Sequence, residues 1–201
     1  MRGFPDLVDV GVSGGRIETV RPGIPEGAPE IDAGGCLVSP GFVNLHLHAD
    51  KSLLGEVMRP NVSGTLPEAI EITNEFPSTS CARRGSTASR SGAASRGSRS
   101  CWYYPFGKPD QLEVALLMAH TAQLTLPHEL EQVWDMVTDN AARAARLDAY
   151  GIAPGRRADL VVIDAPSVHE ALRTQPPRRH VIKDGHEVAR ATLLRELRRP
   201  G

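Results

Sequence analysis

The sequence predicts an α/β chain in which short strands at both ends bracket a mostly helical middle. Three observations predict it. Glycine-punctuated runs of alternating or β-branched residues occupy positions 7–40 and recur over 158–189. Between them, from 110 to 147, apolar residues return at helical spacing. An apolar run from Ser39 to His48 follows the first strands and carries two histidines at its end.

The elements follow in order. Leu7 to Val12, the pair Gly14-Gly15 and Arg16 to Val20 form a hairpin, because two glycines supply the positive φ a tight turn needs. Pro22, Pro25 and Pro29 mark a loop, after which Ile31-Asp32-Ala33 and Gly34-Gly35 lead into Cys36-Leu37-Val38. Ala69, Ile70 and Ile72 predict a helix over Leu66 to Phe76, capped by Thr65 with Pro67 and Glu68 in its first turn. Leu112, Ala115, Leu116, Ala119 and Ala122 predict a second helix over Asp110 to Leu126. Leu130, Val133, Trp134 and Val137 repeat the pattern after Pro127, and Thr138 is the expected cap of a further helix over Asp139 to Leu147. Ala158 to Asp164 reads as a buried strand, and His180 to Ala189 as a hairpin turning at Asp184-Gly185. The basic tail from Arg190 reads as frayed.

The densest chemistry lies at Pro40 to Lys51. If Phe42 to His48 is a strand, its side chains alternate, so His46 and His48 face one way while Leu45 and Leu47 enter the opposite layer. Two neutral imidazoles converging from one strand end make half of a first-row metal site. Asp50 and Lys51 crowd charge beyond them. Asp50 reads as a residue that orients a ligand or pairs with Lys51. The remaining histidines have plainer readings: His120 on a helix near the core edge, His128 solvated at a helix start, and His169, His180 and His186 at the surface.

Composition excludes several classes. A net charge of −1 offers no basic footprint for nucleic acid. No apolar run is long enough to cross a bilayer, and Pro5, Asp6 and Asp9 interrupt any leader-like segment. Cys36, Cys81 and Cys101 are odd in number and unpaired in spacing, which points to reduced thiols in the cytoplasm. The expectation is a cytoplasmic protein with no nucleic-acid or membrane partner.

One stretch stands apart. Every residue from Ser78 to Ser100 is Ser, Arg, Ala, Gly, Thr or the single Cys81. Such a stretch buries too little apolar surface to offset the entropy of ordering it, so 77–101 is expected to be disordered. A flexible linker is one account of it. An out-of-frame reading of GC-rich coding DNA yields the same mixture and is the preferred one.

Several blocks together resemble the amidohydrolase superfamily, and within it the cytosine deaminase-like branch. They are Pro40 to His48 with Asp50-Lys51, Ser63-Gly64-Thr65-Leu66, Tyr104-Pro105-Phe106-Gly107, Asn140-Ala141-Ala142-Arg143, and Gly151 to Asp164 with the last hairpin. The resemblance implies a (β/α)₈ (TIM) barrel with a small β-sandwich built from both chain ends. It implies a divalent metal, zinc or iron, held by His46, His48 and ligands from later strands, and a small-molecule substrate, a pyrimidine or related heterocycle. The reaction it implies is hydrolysis at an amidine or amide carbon, with metal lowering the pKa of water from about 15.7 toward about 7. Trp102 and Tyr103 fall where the resemblance sets an aromatic beside the substrate.

Length argues against a full barrel. A barrel typically takes about 250 residues, yet roughly a hundred separate Val43 from Asn140. The expected domains are a composite sandwich (1–40 and 152–190), a barrel remnant (41–76 and 102–151), the Ser/Arg segment (77–101) and a tail (191–201). Of the implied ligands only His46 and His48 are present; the other catalytic residues and those that bind substrate stay unassigned. The chain is therefore expected to be a truncated and inactive hydrolase of non-peptide carbon–nitrogen bonds. The alternatives are a non-catalytic remnant or scaffold that needs a second chain, which opened barrel edges would favour through self-association, and a hydantoinase-like cyclic amidase.

Overall fold

Two compact units make up the chain, one formed by Met1–Gly41 with Asp148–Gly201 and the other by Phe42–Leu147. The computed structural model describes residues 7–25, 27, 30–45, 59–75 and 110–193. The Ser/Arg segment, the histidine pair, Asp50-Lys51 and Trp102 to Gly107 lie outside the described residues.

The first unit joins sequence from both ends of the chain. Strands β1 (Asp9–Ser13) and β2 (Arg16–Arg21) pair antiparallel, with an irregularity between Gly11 and Val12. Their turn is Gly14-Gly15, at φ values of 55° and 77°, a conformation that glycine adopts without penalty. A four-stranded antiparallel sheet runs in the order β3 (Leu37–Pro40), β4 (Leu160–Ile163), β5 (Arg178–Lys183), β6 (His186–Arg190). Ser39 faces Val161 and Pro40 faces Leu160, so the register is set by buried residues on both strands. All four residues of β4 are buried. Each such aliphatic side chain stabilises the fold by about 1.5–3 kcal/mol relative to exposure.

The two-stranded ribbon is tied to the later sequence through main-chain bonds. Ile17 N–H donates to the Arg156 carbonyl at 2.9 Å, Gly155 N–H to Ile17 at 2.8 Å and Ala158 N–H to Gly15 at 2.9 Å. Ile17, Ala158 and Leu160 form a buried cluster flanked by Val10, Val20, Val38, Ile152 and Ile182. The β5–β6 turn at Asp184-Gly185 rests on the first hairpin so closely that a Cβ on Gly15 would stand 3.1 Å from the Asp184 carbonyl oxygen. Glycine is needed here for space as well as for φ.

The second unit is helical among its described residues. Helix α1 (Leu66–Asn74) has Thr65 at its cap position with Pro67 in the first turn, as expected. The cap side chain makes no bond to the helix, however. The Glu68 carboxylate organises the approach instead, accepting from the backbone N–H groups of Val62 at 3.2 Å and Ser63 at 2.6 Å.

Helix α2 (Gln111–Thr121) starts where the sequence places it, with the Asp110 carboxylate accepting from Leu112 N–H at 2.9 Å. It stops short of the expected Leu126. Gln123 takes the left-handed conformation at φ 55° and Leu124 N–H bonds back to Ala119, which ends the helix. Helix α3 (Pro127–Val137) begins with Glu129 accepting from Thr125 N–H at 2.9 Å and Leu126 N–H at 2.8 Å, and buries Val133, Trp134 and Val137.

Helix α4 (Asp139–Ala144) is shorter than the expected Asp139 to Leu147 because Arg146, at φ 54°, turns the chain out of the helix. Thr138 precedes it but does not cap it. Its hydroxyl donates back to the Trp134 carbonyl at 2.8 Å. Helix α5 (Val168–Thr174), in the first unit, is not among the sequence expectations. Ser167 caps it by accepting from Glu170 N–H at 3.3 Å, a Ser-x-x-Glu pattern legible in retrospect.

Candidate functional site

The expected metal-binding pair, His46 and His48, lies outside the described residues. Its approach is described, and it corrects one expectation. The strand ends at Pro40; Phe42 to Leu45 are not a strand. Leu45 is 58% exposed rather than packed into an opposite layer. The physical reason is the hydrogen bonding of this run: Gly41 still bonds to Asp159 beside β4, but the Val43 N–H goes to the end of a helix instead of to a strand.

Three consecutive residues are gripped there. Within the first unit, Gly41 N–H donates to the Asp159 carbonyl at 2.9 Å and the Tyr150 hydroxyl donates to the Gly41 carbonyl at 2.8 Å. Within the second unit, the ring of Phe42 meets Trp134 edge-on, with centroids 5.3 Å apart and planes at 69°. Val43 N–H donates to the Val137 carbonyl at 3.0 Å. Val137 is the last residue of α3, where carbonyls have no partner inside the helix, so the incoming chain satisfies one of them. Sequence reasoning does not find this clamp; the apolar spacing of α3 identifies Trp134 and Val137 only as core residues.

Other polar groups have structural partners. The Asp159 carboxylate accepts from Asp184 N–H at 2.8 Å and pairs with the Lys183 ammonium. Burial pushes its pKa up, but Lys183, the Asp184 amide and the Arg157 charge outweigh that and hold it below the usual range. Hydrogen bonds from Ser63 keep the Glu68 carboxyl at about 2. Arg190 and then His180 hold Glu187 at about 2. His120 and His128 are exposed on α2 and α3, and His186 is exposed on β6. His180 departs from the surface placement expected of it. Its ring is half-buried, with Nδ1 2.6 Å from Glu187 Oε1, because β5 and β6 bring the two residues together.

A cleft of about 370 Å³ in the first unit is lined by Asp32, Asp164, Arg179, His180 and Arg190, among others. Both of its arginines already face carboxylates: Arg179 faces Asp164 at 3.5 Å and Arg190 faces Glu187 at 2.7 Å. Among the described residues, no three His, Cys, Asp or Glu side chains converge on a point that could hold a metal. The donor chemistry of His46 and His48 suits a first-row ion, but two imidazoles are only part of a set. No helix among the described residues is long and apolar enough to cross a membrane.

Residues 108–195 match the amidohydrolase family. A 104-residue stretch is 35% identical to N-isopropylammelide isopropyl amidohydrolase from a Pseudomonas species, covering 51% of this chain and 26% of that protein. Over these stretches the chain is similar to the amidohydrolase family.

The fold of the chain is similar to those of solved structures. It resembles 5-methylcytosine deaminase from Klebsiella pneumoniae with a TM-score of 0.74 at 16% identity, over 96% of this chain and 97% of that one. For N-isopropylammelide isopropylaminohydrolase from Burkholderia multivorans the TM-score is 0.66 at 17% identity, over 94% and 96% of the two chains. A shorter stretch of 45 residues is 53% identical to 5-methylthioadenosine/S-adenosylhomocysteine deaminase 2 from Archaeoglobus fulgidus, covering 22% of this chain and 11% of that protein. The chain thus spans about a quarter or less of the length of these two curated relatives.

Proposed function

We propose that this chain belongs to the amidohydrolase superfamily, that it derives from a cytosine deaminase-like, metal-dependent hydrolase of non-peptide carbon–nitrogen bonds, and that it does not turn over by itself. The observation that carries the first part is the 35% identity over 104 residues to an amidohydrolase that acts, by its name, on N-isopropylammelide. Deaminases among the similar proteins favour the cytosine deaminase-like reading over a hydantoinase-like one. The substrate class that fits is a pyrimidine or related heterocycle.

His46 and His48 are the proposed metal-binding pair, and zinc or iron the proposed ion. A bound ion of this kind supplies Lewis acidity and hydroxide at neutral pH. The imidazoles must be neutral to donate their lone pairs, so acid competes with binding. A catalytic zinc site ordinarily uses three protein ligands. With two carried over from the superfamily pattern, binding is loose and the hydrolytic step has no fixed centre.

The proposed domains keep the sequence boundaries: 1–40 with 152–190 as a composite β-sandwich and 41–76 with 102–151 as a barrel remnant. Support for the composite comes from Ile17, Ala158 and Leu160 sharing one core cluster. A second reading, in which another chain completes the barrel, is favoured by the outward face of α2. Val114, Leu117 and Met118 lie there at helical spacing, all exposed, with Leu117 at 62%.

The test is ammonia release from cytosine and related heterocycles by the purified chain supplied with zinc or iron(II). No release is expected. Release that His46→Ala abolishes would overturn the inactive reading while upholding the hydrolase. Release only with a co-purifying chain would favour completion in trans.

A further inference from the structure

The cleft of the first unit is built by residues far apart in the chain. Asp32 comes from the loop ahead of β3, Asp164 from just past β4, Arg179 and His180 from β5, and Arg190 from the end of β6. At about 370 Å³ it has the size of a small-molecule site. Pro177, Ala191 and Leu193 add apolar surface to its wall.

Its two guanidiniums are committed to fixed partners. Arg190 grips Glu187 with Nε at 2.9 Å and Nη2 at 2.7 Å. Arg179 Nη1 lies 3.3 Å from Cys36 Sγ, and its Nε lies 3.5 Å from Asp164. The acceptors of the cleft have capacity left. Asp32 Oδ1 accepts from Gly34 N–H at 2.7 Å, which fixes the carboxylate, and no cation pairs with it among the described residues. Glu187, held at about 2, is ionised at neutral pH and can only accept, so the proton of its 2.6 Å bond sits on His180 Nδ1. In its neutral form the imidazole then keeps the Nε2 lone pair as a free acceptor. With Glu187 included, three carboxylates stand against two guanidiniums, which leaves negative charge in excess.

We propose that this cleft binds a small organic cation with N–H donors, an amidinium, guanidinium or primary amine, paired in charge with Asp32 and hydrogen-bonded to His180 Nε2 and Asp164. An anion would meet the unpaired Asp32 carboxylate and compete with Glu187 and Asp164 for the arginines. The site uses nothing of His46 or His48, so its test does not depend on the hydrolase reading.

Benzamidine, benzamide and benzoate share one shape and differ in charge, so titrating the full chain with each isolates the electrostatic choice. Binding is read by calorimetry and by the imidazole signals in NMR, with His180 assigned from His180→Gln. Benzamidine is expected to shift the His180 signal and to bind about fivefold more tightly than benzamide, with benzoate weaker still. Asp32→Asn keeps an acceptor for the Gly34 N–H and removes the charge. It is expected to weaken benzamidine about threefold to fivefold. Glu131→Gln, exposed on α3 in the other unit, is expected to leave the affinity unchanged. The preference among the three probes is read on the unaltered chain and needs no variant to fold. Benzoate binding as tightly as benzamidine would overturn the cation site. So would an unmoved His180 signal, unchanged affinity in folded Asp32→Asn, or no saturable benzamidine binding below about 10 mM.

Discussion

Two carboxylates are held well below the ordinary glutamate range by their hydrogen bonds. Glu68 and Glu187 each sit at about 2, against 4.5 for an ordinary glutamate, through hydrogen bonds from Ser63 in one case and from Arg190 and His180 in the other. Both ionise more readily in the folded chain than in the unfolded one. Their stabilisation is therefore complete above pH 4.5 and is lost as pH falls through about 2. Melting temperature should drop across that window, and Glu68→Gln should flatten part of the drop; a flat profile would speak against these pairings. Glycines give a second residue-scale test. Gly14 and Gly15 both have positive φ, but only Gly15 has a close neighbour, the Asp184 carbonyl oxygen at 3.1 Å. Alanine at either position costs about 1–2 kcal/mol for the left-handed backbone. Gly15→Ala should cost more than Gly14→Ala in denaturant unfolding, because the β5–β6 turn must also give way.

At the scale of elements, what local chemistry specifies was readable and what tertiary partners specify was not. The hairpin turns at Gly14-Gly15 and Asp184-Gly185 and the buried run at β4 follow from residue type alone, and they stand where the sequence puts them. The ends of α2 and α4 do not. Gln123 and Arg146 adopt left-handed backbone without glycine, so nothing in their residue type announces a stop. Thr138 looks like a cap, yet its hydroxyl serves the Trp134 carbonyl because α3 ends directly before it. Helix α5 was missed although Ser167 and Glu170 mark its start. Removing that cap with Ser167→Ala should cost about 1 kcal/mol by thermal or chemical unfolding; no change would mean that the 3.3 Å contact contributes nothing. The approach to the histidine pair has the apolar pattern of a strand. Its main-chain bond to Val137 links residues 94 positions apart, which no local pattern contains.

For the whole molecule, the resemblance to the amidohydrolase superfamily was legible because its blocks keep their order along the chain, from Pro40 to the last hairpin. The candidate site was legible only in part: the His-x-His pair is a sequence pattern, whereas the clamp of Phe42 and Val43 on α3 is a property of the fold. The central claim is that two imidazoles, without further ligands from this chain, do not hold a catalytic ion. The most direct measurement is the zinc content of the purified chain, loaded with zinc and then dialysed against metal-free buffer, beside His46→Ala. The account predicts far less than one zinc per chain in both. One retained zinc per chain in the unaltered protein, lost in His46→Ala, would contradict it.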